Sequence, residues 1–161
     1  MLGSEPAGTA DYARSHPALM DEKTGLANRL HFDLVYNYLF EAGDRGLPFT
    51  IMLVSTGSEG SMGDEEIRAL GKAIQKTTRT SDLVSHVGSG RYVVLLIGTN
   101  LQGGRIAADR VDLAISGIAP GKISFGLAAY SEDVQNSAEL LKAADTALRA
   151  AEGAGGGVEL A

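Results

Sequence analysis

The stretch DLVSHVGSGRYVVLLI, residues 82–97, decides the fold of this chain. Two β-rich runs, 83–87 and 92–97, are separated only by Gly88-Ser89-Gly90-Arg91. Because a connection this short joins neighbouring antiparallel strands, the stretch predicts a tight β-hairpin.

The segments around the hairpin alternate between helical and strand patterns. Residues 49–54 form a continuous apolar run that is too short for a helix and suits a strand covered on both faces. A further strand is predicted over 122–130, whereas 158–160 are interpreted as a short tail. Helical spacing is found in four segments, namely residues 28–42, 64–78, 102–116 and 138–152.

Two details of these predicted helices can be tested directly. In the first helix, the apolar residues near helical spacing are Leu30, Leu34, Tyr38 and Phe40, with Phe32 and Val35 beside them, so they are candidates for its apolar face. Asp64 is predicted to cap the second helix. The order helix, strand, helix, hairpin, helix, strand, helix predicts an α/β (α+β) fold, with a mixed central sheet and helices on both faces.

Length and composition indicate one domain without a membrane span. The 161 residues are 44% hydrophobic, which suffices for one core. We expect residues 1–20 to be a linker or cloning remnant that can be helical in part, and 21–161 to be the domain. No run approaches the roughly 18 apolar residues of a membrane helix, and cysteine is absent. A net charge of −6 disfavours nonspecific nucleic-acid binding, and the simplest expected location is the cytoplasm.

Four fragments together resemble the GGDEF family. Residues 21–29, DEKTGLANR, resemble its opening D-x-L-T-G-L-x-N-R, with Lys23 as a departure, and residues 82–92 stand in place of D-x-v-a-R-x-G-G-D-E-F. Ser124-Phe125-Gly126 and residues 143–148 are similar to its S-x-G and A-D-x-A-L segments. This resemblance covers about residues 21–158. It implies a nucleotide cyclase palm with a ferredoxin-like core, a fold that in active members joins two GTP molecules into cyclic di-GMP.

The positions that carry catalysis in the family are altered here. Its cyclases hold Mg²⁺ with an Asp at the end of the central strand and an acid in the signature turn, where this chain has Ser55 and Gly90. Segment 55–63 is shorter than the family norm by roughly eight residues, which removes the guanine-reading Asn. The complete set of altered positions comprises Ser55, Gly88, Ser89, Gly90, Arg91, Tyr92, Glu152 and Gly156. The resemblance therefore predicts no metal, no cofactor and no cyclase activity.

A second family site is retained in register. Arg79-Thr80-Ser81-Asp82 matches the inhibitory Arg-x-x-Asp pair that binds cyclic di-GMP, and Arg110 matches its auxiliary arginine. An arginine can donate to guanine O6 and N7 or to a phosphate, whereas a carboxylate accepts from guanine N–H groups. The alternative is structural: Arg79 at a helix end, Asp82 in a turn and Arg110 as a solvated charge. The two interpretations stay open at this point.

Three hypotheses for function follow. The leading one is a cyclic di-GMP receptor or regulatory module that acts on an unknown protein partner, without membrane contact. The second is a ligand-independent interaction or dimerisation scaffold, including a homodimer. The third is GTP sensing without catalysis, which Ser55, Glu152 and Gly156 disfavour. His16, His31 and His86 have no partner set at metal-ligand spacing and are expected to be surface or packed side chains.

Overall fold

A computed structural model describes residues 16–43, 45–57, 62–88 and 90–161 of the chain. After a short 3₁₀ turn at Pro17–Leu19, these residues form four α-helices and five strands. In chain order they are α1 (Arg29–Gly43), β1 (Phe49–Ser55), α2 (Asp64–Thr77), β2 (Leu83–Gly88), β3 (Arg91–Ile97), α3 (Leu101–Ile115), β4 (Ser124–Ala129), α4 (Ser137–Gly153) and β5 (Gly157–Leu160). Ser89 of the signature and residues 1–15 of the predicted linker lie outside the described residues.

The strands form one mixed sheet in the order β2-β3-β1-β4-β5. β1 pairs antiparallel with both β3 and β4, and β2 and β3 form the predicted antiparallel hairpin. The sheet is mixed because β4 pairs in parallel with β5. Residues 158–160 therefore belong to a strand, and their prediction as a tail was wrong.

Helices cover both faces of the sheet, which confirms the predicted fold class. Met52 and Val54 of β1 pack in one buried cluster with α2 and α3, whereas Ile51 and Leu53 pack in the other with α1 and α4. Because successive side chains of a strand point to opposite faces, a strand between two helical layers buries the side chains on both of its faces. All seven residues of β1 are buried.

The buried face of α1 differs from the expected one. Leu30, Leu34 and Tyr38 are 51%, 57% and 72% exposed, whereas Phe32 and Tyr36 are buried. The rings of Phe32 and Tyr36 stack with their centroids 5.3 Å apart. Both sets of residues have helical spacing, so periodicity could not select between them. The aromatic set packs against β1, and burial raises the pKa of Tyr36 to about 12.

The start of α2 also differs from the prediction. Gly63 is the N-cap residue and provides no side-chain hydrogen bond, so Asp64 is the first helical residue and not the cap. The Asp64 carboxylate instead forms an exposed ion pair with Lys23, with Nζ 3.7 Å from Oδ1. An acid in the first turn still complements the helix dipole.

Candidate functional site

Three of the altered family positions meet at one end of the sheet. Ser55 and Arg91 are paired residues in the β1–β3 ladder, and Glu152 reaches them from the last turn of α4. The Ser55 hydroxyl donates to Glu152 Oε2 at 3.3 Å, and Arg91 Nη2 donates to the same oxygen at 3.4 Å. A single carboxylate thus links positions that the sequence separates by 97 and 61 residues.

This cluster does not fit a magnesium ion. Mg²⁺ is held in proteins mainly by carboxylate oxygens together with substrate phosphates. Of the three side chains, only that of Glu152 is a carboxylate, and it forms an ion pair with Arg91. Arg91 places a permanent cation beside the position where the family holds its metal.

Gly90, the remaining metal-ligand position, has no room for a side chain. Its φ of +72° is one that L side chains rarely adopt. A Cβ atom there would lie 2.3 Å from Met62 Cε and 2.4 Å from Thr56 Oγ1. Thr56 donates to Gly90 O from both its backbone N, at 3.1 Å, and its hydroxyl, at 2.9 Å. An acid at position 90 would therefore have a strained backbone conformation, and the side chains of Met62 and Thr56 would have to shift.

The other described signature residues have structural contacts. Gly88 ends β2 opposite Arg91 with φ +130°. Tyr92 is buried, and its hydroxyl donates to Ile67 O at 2.6 Å. Burial, with the Asp21 carboxylate nearby, raises the pKa of Tyr92. Outside the signature, a Cβ on Gly156, another altered position, would lie 3.1 Å from Ile123 O.

His86 connects the hairpin to the N-terminal family motif. The side chain is buried, and its Nδ1 lies 3.1 Å from Asp21 Oδ2. The same carboxylate oxygen accepts hydrogen bonds from the backbone N and the hydroxyl of Thr24. Within the described residues, no group of three or more His, Asp or Glu side chains could hold a metal ion. His86 is therefore a packed side chain, one of the two expected roles.

The three residues of the predicted ligand site line one cavity. Arg79 and Asp82 come from the turn between α2 and β2, and Arg110 projects from α3. The cavity has a volume of about 440 Å³, within the range of roughly 300–1,000 Å³ that is typical of ligand pockets. Thr99 and Asn100, which the sequence analysis did not single out, also line it. Asn100 is the N-cap of α3, a role that its position before a helical pattern could have indicated.

The carboxylate of Asp82 is buried and accepts hydrogen bonds from two backbone N–H groups. Its side chain is 3% exposed. One carboxylate oxygen accepts from the backbone N of Arg79 at 3.0 Å, and the other accepts from the backbone N of Ile97 at 3.1 Å. Asp82 thus closes the α2–β2 turn and joins it to the end of β3. The turn role considered from the sequence is present, and contact of Asp82 with a ligand stays a prediction.

The two arginines are more accessible than Asp82. The Arg79 side chain is 61% exposed, and its Nη2 donates to Ile97 O at 2.8 Å and to Thr99 Oγ1 at 2.6 Å. Arg79 Nε lies 3.6 Å from the Asp82 carboxylate. Arg110 is exposed and makes no hydrogen bond or ion pair with any described residue. The cavity therefore presents one oriented guanidinium and one that is free to turn toward an anion.

We expect Asp82→Ala to lower the free energy of unfolding by about 2–4 kcal/mol, because two backbone N–H groups lose a charged acceptor. Urea unfolding followed by circular dichroism measures this change. Asp112→Ala is the matched control, since Asp112 is exposed on α3. Equal stability of the two variants would show that the buried contacts of Asp82 contribute little.

Comparison with known proteins establishes the family. The family model described as "Diguanylate cyclase, GGDEF domain" matches residues 60–157, more than half of the chain. The chain therefore belongs to the GGDEF family. It is 28% identical over 151 residues to the probable diguanylate cyclase DgcC of Escherichia coli K12, covering 84% of this chain and 41% of that protein. It thus spans about two fifths of the length of the curated relatives that it matches.

Solved structures of GGDEF domains share the fold. The coiled coil and GGDEF domain of DgcB from Caulobacter crescentus, in complex with cyclic di-GMP, has a TM-score of 0.79 at 18% identity, covering 94% of this chain and 93% of that one. The diguanylate cyclase SiaD from Pseudomonas aeruginosa, in complex with its activator SiaC, has a TM-score of 0.80 at 19% identity, covering 94% and 65%. In the part of the chain that the structure describes, no helix has the length and apolar character to cross a bilayer.

Proposed function

We propose that this GGDEF domain is a catalytically inactive module that binds cyclic di-GMP through the cavity of Arg79, Asp82 and Arg110. The observation that carries the proposal is the shared cavity, in which two arginines present donors to one volume of about 440 Å³. The Arg91–Glu152 pair supports the inactive state, because it occupies the end of the sheet where the family binds metal and triphosphate. On this proposal the domain acts in the cytoplasm on a protein partner.

The two arginines would provide most of the ligand contacts. A guanidinium can donate two parallel hydrogen bonds to guanine O6 and N7, or to two oxygens of a phosphate. Arg79 is oriented by Ile97 O and Thr99, so it loses little side-chain entropy on binding. Arg110, without a partner among the described residues, would supply the second set of donors. Asp82 would act mainly by holding the turn that positions Arg79.

Titration calorimetry with cyclic di-GMP tests this function. We expect the wild-type protein to bind, and Arg110→Ala to bind at least tenfold more weakly, since each charge-assisted hydrogen bond contributes about 1.5–3 kcal/mol. Arg110 is the residue of choice because its side chain is exposed and makes no hydrogen bond or ion pair with the described residues. Arg79→Ala should also weaken binding, although it removes bonds to Ile97 and Thr99 as well.

The control for this titration lies on the same helix. Arg105 is exposed and forms an ion pair with Asp109, with Nε 3.5 Å from Oδ1, so Arg105→Ala removes an equal charge outside the cavity. It should bind as the wild type does. No heat from wild-type protein at high micromolar ligand, or equal affinities for Arg110→Ala and Arg105→Ala, would contradict the proposal.

A ligand-independent interaction scaffold is the second candidate function. It is favoured by the exposed stripe of Leu30, Leu34 and Tyr38 on α1, which are 51%, 57% and 72% exposed. Apolar stripes of this kind mark protein contact surfaces more often than isolated exposed residues do. A partner complex that persists in Arg110→Ala and is insensitive to cyclic di-GMP would support the scaffold over the receptor.

A further inference from the structure

A second cavity lies on the opposite face of the sheet, between α1 and α4. Its volume is about 470 Å³. Its floor is apolar and comes from both helices and from the sheet, through Phe32, Leu53, Val93, Leu141 and Leu148. Leu53 and Val93 belong to the layer that faces α1 and α4, so this cavity is separated from the Arg79 cavity by the sheet itself.

Charged side chains surround this apolar floor and are mostly cationic. The lining includes Arg29, Arg91 and Lys142 as cations and Asp145 as the single carboxylate. An apolar floor with a few convergent charged groups is the usual composition of a small-molecule site.

The cations differ in their existing contacts. Arg29 Nε lies 3.1 Å from Asp33, and Arg91 Nη2 lies 3.4 Å from Glu152. Asp145 Oδ2 lies 3.0 Å from Nε of Arg149, and Arg149 is not part of the cavity lining. Lys142 is exposed and forms no ion pair or hydrogen bond with any described residue. Among the cations that line this cavity, Lys142 is therefore the one without a counterion among the described residues.

We propose that this cavity binds a small organic anion with an apolar body, such as an aryl or acyl carboxylate or sulfonate. The acidic group would pair with Lys142 and Arg29 at the rim, and the apolar body would lie on Leu53, Val93 and Leu141. This site is independent of the cyclic di-GMP site proposed above, since the two cavities share no lining residue.

Fluorescence titration with 8-anilinonaphthalene-1-sulfonate tests the proposal. This probe carries a sulfonate on a flat apolar body, and its emission rises when it leaves water. We expect saturable binding to the folded wild-type protein. Lys142→Glu should bind at least tenfold more weakly, because it replaces the attracting charge with a repelling one. Ala138→Trp should reduce binding as strongly, since Ala138 lies at the exposed lining of the cavity and an indole would fill it.

Two comparisons make this test specific. Lys72→Glu introduces the same charge change on α2, at an exposed position on the other face, and should leave the affinity unchanged. N-phenyl-1-naphthylamine lacks the sulfonate and should bind at least tenfold more weakly than the sulfonated probe. Equal binding of the two probes, wild-type affinity in Lys142→Glu and Ala138→Trp, or displacement of the probe by cyclic di-GMP would each overturn the proposal.

Discussion

Incubation of this protein with GTP and Mg²⁺ is expected to yield no cyclic di-GMP above a protein-free control. Ser55 and Gly90 bring no carboxylate to the metal position, and Arg91 adds a cation beside it. Glu152 stands where the resemblance places a basic residue that binds the triphosphate, so it supplies no cation there. Metal ions neutralise the charge that develops in phosphoryl transfer, so loss of the metal position alone removes most of the catalysis.

Liquid chromatography with mass spectrometry of the reaction mixture measures this outcome, with an active diguanylate cyclase as the positive control. The triple variant Ser55→Asp, Arg91→Glu, Glu152→Lys should stay silent as well. It restores three charges but leaves Gly90 without space for a ligand and leaves the shortened 55–63 segment unchanged. Product formation by the wild type that stops when Mg²⁺ is chelated would refute the inactive assignment.

Gly126→Ala is expected to destabilise the fold, because the added methyl group would collide with the backbone of α4. Gly126 lies in the middle of β4, where α4 crosses the sheet. A Cβ atom there would lie 2.3 Å from Leu148 N and 2.4 Å from Ala144 O, which are backbone atoms of α4. Backbone cannot move aside as a flexible side chain can, so the helix would have to separate from the sheet. We expect a loss at or above the roughly 1–3 kcal/mol of overpacked cores.

Urea unfolding, or soluble yield if the variant does not fold, measures the effect of Gly126→Ala. Gly117→Ala is its control, because no atom lies within 4 Å of the added methyl group and its φ is not positive. That control should change stability by less than about 0.5 kcal/mol. A Gly126→Ala protein as stable as the control would mean that β4 and α4 are less closely packed than the structure places them.

The local patterns were sufficient for most of the secondary structure. The hairpin followed from two β-rich runs and a four-residue turn, and β1 followed from its unbroken apolar run. The face of α1 could not be predicted, because Leu30 and Phe32 both belong to stripes with helical spacing. Selection between the stripes depends on Phe49 and Tyr36, whose rings meet at 6.2 Å across 13 residues of sequence. β5 was not predicted, because its four residues are too few to show the pattern of a strand.

The candidate site, like the fold, could be predicted only in part from the sequence. The resemblance to the family placed Arg79, Asp82 and Arg110 at a candidate ligand site, and it placed Ser55 and Gly90 where cyclases of the family carry acids. The sequence could not decide whether the Asp82 carboxylate contacts a ligand or the backbone. Its partner, the backbone N of Ile97, lies on a strand 15 residues away. Nor could the sequence pair Arg91 with Glu152, which are 61 residues apart.

The amino-acid sequence by itself determined the family of this protein and the order of its four helices and first four strands. Those properties depend on residue identity and on local periodicity, which the chain carries before it folds. Only the tertiary structure decided that Asp82 is buried, that Arg91 and Glu152 neutralise each other and that two cavities lie on opposite faces of the sheet. Burial, ion pairing and cavities arise from contacts between distant segments, and long-range packing sets these contacts.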